Sequence, residues 1–529
     1  MDFLNQLRSE PQGWQVCLSL VIRDPRPSEI VRHVSLDVIN HAIQAKDIDS
    51  QGLVVLRDNL LGHLRNVYGA GGNGAQQLDS TVIQNKITQT ITYLFRALYA
   101  TDWPTFFHDL LALTVSPGSS SRDHEPGVTL YLRVLVSVHD EIADILIPRS
   151  PDEQRRDNDL KDLVRQRDAK MLTFSWQELI TQWRSTPNQT IEQCLTVIGK
   201  WVSWTDISLV LNDTLLNLLF ELVTPSKSTT KVAGLYPGNL NGVEARADAR
   251  LYAAIDTLIE ILGKKMSADD KLELIDVLKI KEIVSQLTEC YALRELRSTS
   301  SYDTDLAESV AKLVNNTVYD IVKAIDGAQD SDSASVRGTT QLNTFLPFVL
   351  RYFSDEYDEI CSNVIPCLTD LQALFRKKAK LNSSFYTEGR VMLSPVLDAV
   401  IAKMKYDHTS LWGHEDAQTD EAEFQELRKR LQVLQQAIAA VDEQLYIDKI
   451  TTVVISTYDL FQNQSGQLNW RDIDLAMYEM FLFGELALKN GGLYSKTKPV
   501  SPAAERLIGM MHKMVESGKL FFTACWTAH

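Results

Sequence analysis

Few residues in this 529-residue chain have the type and spacing that chemistry requires. Gly69, Gly71, Gly72 and Gly74 could cradle a phosphate, but a working cradle follows a strand, opens a helix and usually carries Lys-Ser/Thr after it. Here a helical pattern precedes the glycines and Gln76 and Gln77 follow them, so the cluster reads as a flexible turn. His33 and His41 lie eight apart on one helical pattern and could share a face, yet no Cys or carboxylate cluster completes a metal site. They read as surface or groove histidines. Cys361 and Cys367 are six apart, a poor metal spacing, and read as buried thiols. There is no GxSxG elbow and no recognisable grouping of Ser, His and Asp. The residues support no enzyme activity, no metal and no cofactor.

The charged clusters are more suggestive. "FRKKAKLN" (375 to 382) puts Arg376, Lys377, Lys378 and Lys380 at a predicted helix end. Cations there complement the helix dipole and the last carbonyls, and they could equally contact RNA phosphates, to which Lys and Arg bind without reading sequence. "RRDNDLKDLVRQRDAK" (155 to 170) sets Arg155, Arg156, Lys161, Arg165, Arg167 and Lys170 against four Asp. It reads first as an exposed helix with internal ion pairs and second as an RNA face. The acidic runs "DEYDE" (355 to 359) and "EDAQTDEAEFQE" (415 to 426) are either solvated or face a basic partner. The net charge of −16 argues against indiscriminate nucleic-acid binding.

These groups must be positioned by helices. Periodicity of 3.6 residues recurs along the chain and strand alternation does not, as in "SEIVRHVSLDVINHAIQ" (28 to 44), "DTDLAESVAKLVNNTVYDIVKAI" (303 to 325) and "WRDIDLAMYEMFLFGELALKN" (470 to 490). The most apolar stretch, "KWVSWTDISLVLNDTLLNLLFELV" (200 to 223), is no membrane span, because Lys200, Asp206, Asp213 and Glu221 interrupt it. It predicts two short buried helices: one carrying Trp201, Trp204 and Ile207, and one from Thr214 through Leu222 capped by Asn212 or Asp213. Helix pairs recur roughly every 40 to 60 residues, giving nine or ten units with loops at 69–75, 116–127, 225–242, 327–335 and 408–420. The expected fold is all-α, one continuous α-solenoid over 1–529 of HEAT-type antiparallel helix pairs forming a superhelical arch. Six scattered cysteines suit a reducing compartment, and the amino terminus has no basic stretch followed by an apolar core.

The segments 200 to 223 and "EARADARLYAAIDTLIEILGKKMSADDKLELI" (244 to 275) together resemble the exportin-T family, the tRNA exportins of the importin-β superfamily. "DWPTFFHDLLAL" (102 to 113) and "WRDIDLAMYEMFLFGELAL" (470 to 488) are similar to segments of exportins more widely. The resemblance implies a non-enzymatic, shuttling nuclear export receptor that binds the GTPase Ran in its GTP form and mature tRNA cooperatively. It also implies contact with nuclear pore proteins, no membrane insertion, a monomer, and a location in both nucleus and cytoplasm. It makes 1–115 the Ran-binding repeats and 125–518 the exportin-T-like repeats. Arg376, Lys377, Lys378, Lys380, Arg165 and Arg167 become RNA-binding candidates; Asp355, Glu356, Asp358 and Glu359 become candidates for a basic GTPase face. Family members begin with additional helix before "FLNQLRSEP" and run on for about as long again, so an amino-terminal half is expected, and "GKLFFTACWTAH" at the end, with 519–529 as an atypical tail, does not resemble their continuation. An importin-β-type carrier of protein cargo and a HEAT scaffold in a phosphatase or vesicle coat share the other features.

Overall fold

Short polar residues ahead of apolar periodic stretches start the helices. Asp49 accepts from the Gly52 N–H at 2.8 Å, Asn212 from Leu215 at 3.0 Å and Asp303 from Leu306 at 2.9 Å. Ser150 and Glu153 form a reciprocal capping box with Pro151 at the first helical position. The computed structural model describes residues 8, 10, 12–69, 78–186, 188–224, 244–328, 332–381, 385–408, 418–463, 468–489 and 501–517. Gly71, Gly72 and Gly74, the loop at 225–242, most of that at 408–420, and the 519–529 tail lie outside them. Among the described residues there is no strand.

The chain divides into two compact units, Met1–Lys265 and Met266–His529. The first holds α1 (Gly13–Val21), α2 (Glu29–Ala45), α3 (Ser50–Val67), α4 (Thr81–Leu98), α5 (Phe106–Leu111), α6 (Glu125–Ile142), α7 (Pro151–Arg167), α8 (Ala169–Trp183), α9 (Thr190–Val202), α10 (Asp213–Val223) and α11 (Glu244–Leu262). Helices α2, α4, α6, α9 and α11 pack in succession as one row, and α3, α8 and α10 cover it. The second holds α12 (Ala268–Val277), α13 (Ile280–Thr288), α14 (Tyr291–Arg294), α15 (Thr304–Gly327), α16 (Ser333–Phe353), α17 (Asp358–Leu381), α18 (Phe385–Lys403), α19 (Gln418–Val441), α20 (Glu443–Asn463), α21 (Trp470–Lys489) and α22 (Pro502–Ser517). There α12, α15, α17 and α19 form one row and α16, α18, α20 and α22 the other. Helices that pack on their second neighbour in two parallel rows are the mark of an α-solenoid, and each unit is one.

The apolar residues of the stretch 200–223 are buried or half-buried, but its first helix ends earlier than its periodicity suggests. Helix α9 stops at Val202, Trp204 sits in the following turn and Ile207 begins a single 3₁₀ turn. The physical reason is the indole of Trp204, which turns back to donate from Nε1 to His139 Nδ1 at 3.1 Å. The second helix matches expectation, with Asn212 as its cap. Glycine is required at 127, where a Cβ would fall on the carbonyl oxygen of Leu113.

Accepting from Trp204 fixes His139 as the neutral imidazole, and burial lowers its pKa to about 4, with Lys200 adding to the effect. Burial does the same to His63, also to about 4. A base depressed in the folded state contributes stability above its ordinary value of 6.5 that is lost as the pH falls through about 4. The unit Met1–Lys265 should therefore weaken between pH 6.5 and 4, by up to about 3 kcal/mol for His139. Urea midpoints at pH 7 and 4.5 test this. A His139→Gln variant that lost stability over this range as steeply as the parent would refute the assignment.

Candidate nucleic-acid and partner surfaces

The basic end of α17 is built where predicted, since the helix runs to Leu381, but its four cations have different surroundings. Arg376 and Lys380 are exposed and, being four residues apart, share a helix face. Lys377 is exposed but reaches Asp326 of α15, pairing at 2.6 Å. Lys378 is only 5% exposed and points into the packing of the unit, which removes it from any surface strip. Two outward cations remain of the four.

Arg165 and Arg167, at the end of α7, are engaged in holding helix ends. Arg165 Nε donates to the Trp204 carbonyl at 2.5 Å with its guanidinium 5.7 Å from the Trp204 ring, and it also pairs with Asp162. Arg167 lies over the Tyr99 ring at 4.0 Å, donates to the Tyr99 carbonyl at 3.0 Å and approaches Asp168 at 3.4 Å. On the same two helices Arg156 and Lys170 are exposed. The device recurs: Lys264 donates to the Val202 carbonyl at 2.8 Å, Arg250 to that of Arg184 at 2.8 Å, and Lys403 to that of Asp355 at 2.7 Å. Lys264 and Arg250 each place a cation on carbonyls at the end of an earlier helix, where the dipole favours it.

The acidic run 355–359 is also divided. Asp355 is 1% exposed and is a hub: its carboxylate accepts from Tyr302 Oη at 2.8 Å and Arg351 Nη1 at 2.8 Å, with Arg297 Nε 3.6 Å away. Burial and this carboxylate push the Tyr302 hydroxyl up to about 12. Asp358 pairs with Lys403 at 2.9 Å. Glu356 and Glu359 are exposed, and Glu356 accepts from Ser298 Oγ at 3.5 Å. Similar hubs in the first unit join Asp79 to Tyr68 and Arg32, and Asp168 to Tyr99. Sequence reasoning did not find them.

Cys361 and Cys367 are buried, and burial pushes the Cys361 thiol up to about 12. His41 is exposed and His33 half-buried, and among the described residues no group of His, Cys, Asp and Glu could hold a metal. No described helix is long and apolar enough to cross a membrane.

The sequence model of the exportin-T family matches residues 332–526, and that of Exportin 1-like proteins matches 80–235. The chain is 52% identical over 523 residues to exportin-T of Aspergillus clavatus, covering 99% of this chain and 49% of the relative. It is 51% identical over 524 residues to exportin-T of Neosartorya fischeri, with the same coverage. The chain thus spans about half the length of the curated relatives it matches. Among solved structures, one described as "Importin13 cytosolic state" superposes with a TM-score of 0.61 at 11% identity, covering 88% of this chain and 48% of that one. Lph2 of S. cerevisiae, described as a bidirectional nuclear transport receptor, gives 0.51 at 9% identity, covering 98% and 56%. At such identities these two show the fold alone, a HEAT-type α-solenoid.

Proposed function

We propose that this chain is part of a nuclear export receptor of the exportin-T kind, which binds Ran-GTP and mature tRNA together, contacts nuclear pore proteins as a monomer and shuttles between nucleus and cytoplasm. The observation that carries the reading is the identity of about half the residues to exportin-T relatives over 99% of the chain. An α-solenoid needs no reacting group for this work: it offers an extended surface that engages large partners through many weak contacts. Hydrolysis of GTP belongs to Ran. If Ran-GTP and tRNA favour the same conformation of the receptor, each raises the affinity for the other by the same factor. Structured RNA is recognised largely by shape and backbone, which a few exposed cations on a chain of net charge −16 can serve.

The test is binding to Ran-GTP and Ran-GDP, with and without tRNA. Preference for the GTP form, increased by tRNA, is expected; equal affinity for both nucleotide states would favour a HEAT scaffold, and a GTP preference that tRNA leaves unmoved would favour a carrier of protein cargo. Within this reading Arg376 and Lys380 are the outward cations on α17. Arg376→Gln with Lys380→Gln should weaken tRNA binding in the presence of Ran-GTP and flatten its dependence on log salt by about 2, one per lost phosphate contact. Ran binding should not change. Identical salt slopes in the two proteins would return the cluster to a solvated helix end.

A further inference from the structure

Several buried carboxylates in this protein have a cation beside them: Asp79 has Arg32, Asp157 has Arg96 and Arg149, and Asp355 has Arg351. Glu479, midway along α21, has none. Its side chain is wholly buried, Oε2 accepts from Gln435 Nε2 of α19 at 2.5 Å, and Oε1 has no partner among the described residues. The cation on α19, Arg428, is already committed. It donates to the Met404 carbonyl at 2.9 Å and to Asp474 Oδ2 at 2.5 Å, with the rings of Tyr406 and Tyr478 each 4.5 Å from its guanidinium. From α20 the titratable group is buried Tyr446, whose ring stacks on Phe483 at 5.7 Å. On α22, Glu505, Arg506 and His512 are exposed and Lys513 pairs with Asp459.

A carboxylate sealed from water with one neutral donor is disfavoured as an anion and comfortable as an acid. We propose that Glu479 is a proton-operated latch where α19, α20 and α21 meet: neutral, it sits beside Gln435 as an ordinary buried polar group; ionised, it drives the junction apart. In support, burial pushes its pKa up to about 7, against the lowering effects of Gln435 and Arg428. The folded value lies above the ordinary 4.5, so the stabilisation is full below 4.5 and is lost as pH rises through about 7. The junction is tightest below pH 4.5 and loosens between 4.5 and about 7, with a local opening constant rising on the order of 100-fold across that window.

Hydrogen exchange of the whole chain and of Glu479→Gln, at pH 5.5 and 8 and corrected for intrinsic exchange, tests the latch. Peptides of α19, α20 and α21 should lose protection at pH 8 in the parent, whereas the near-isosteric Glu479→Gln should keep it at both pH values. An equal pH response in the two proteins would overturn the proposal. A second variant, Gln435→Lys, supplies the missing cation while leaving Glu479 in place, and it should abolish the loss of protection at pH 8. Persistence of the parent's pH response in that variant would overturn the proposal as well.

Discussion

Asp355→Ala should destabilise the unit Met266–His529 by about 3 to 5 kcal/mol, the usual cost of removing one partner from a buried ionic cluster. The carboxylate accepts from Tyr302 Oη and Arg351 Nη1 and, at 3.3 Å, from the Tyr357 N–H. Its loss strands a guanidinium whose side chain is 18% exposed and a buried hydroxyl that would have to find new partners without water. Tyr302→Phe removes a single hydrogen bond and should cost about 1 kcal/mol, while Glu356→Gln with Glu359→Gln, both exposed, should stay within about 0.5 kcal/mol. Denaturant unfolding of the three variants decides between two roles for the 355–359 run. If Asp355→Ala unfolded like the parent and lost only binding to Ran-GTP, the residue would be a contact surface and the hub would carry no weight. A structural Asp355 leaves Glu356 and Glu359 as the members of the run that a basic partner could reach.

That division of a five-residue run shows what the sequence could and could not carry. Helices were legible because apolar periodicity and caps are local: Asn212 caps α10 from three residues away. The role of each charge was not legible, because its partner lies in another repeat. Arg165 finds the Trp204 carbonyl 39 residues later and Arg167 the Tyr99 carbonyl 68 residues earlier, so neither could be told from Arg156 on the same helix, and all three are exposed. The expected strip at 376–380 was halved for the same reason, by Asp326 of α15 and by burial of Lys378. The end of α9 was misread because Trp204 continues the helical spacing of Trp201 while its indole answers to His139, 65 residues earlier. Glu479 is different, since its signal was present. It lies four residues after Leu475 and three and four before Leu482 and Phe483, all buried, and so falls inside the apolar stripe of α21. An acid on that stripe is out of place.

Trp201→Ala should cost the unit Met1–Lys265 about 3 to 5 kcal/mol, the usual price of deleting a fully buried indole. Trp201 is 0% exposed, and its ring centroid lies 4.7 Å from that of Trp204, 6.0 Å from Phe107 and 6.1 Å from Trp176, the last two nearly edge-on. Its Nε1 donates to the Leu135 carbonyl of α6 at 3.0 Å, so the side chain ties α9 to α6 by packing and by hydrogen bond together. Alanine leaves a cavity among three large rings, none of which can collapse into it without leaving its own contacts. Trp201→Phe keeps an aromatic face and loses the donor, so it should recover more than half of the deficit. Because a solenoid's stability is set between neighbours, the loss should concentrate in α6, α8 and α9, with hydrogen exchange in the unit Met266–His529 nearly unchanged. Unfolding of Trp201→Ala at the parent's midpoint would mean that this aromatic cluster does not hold the first unit together. Loosening spread evenly over all 529 residues would mean that the protein does not behave as a series of neighbouring repeats.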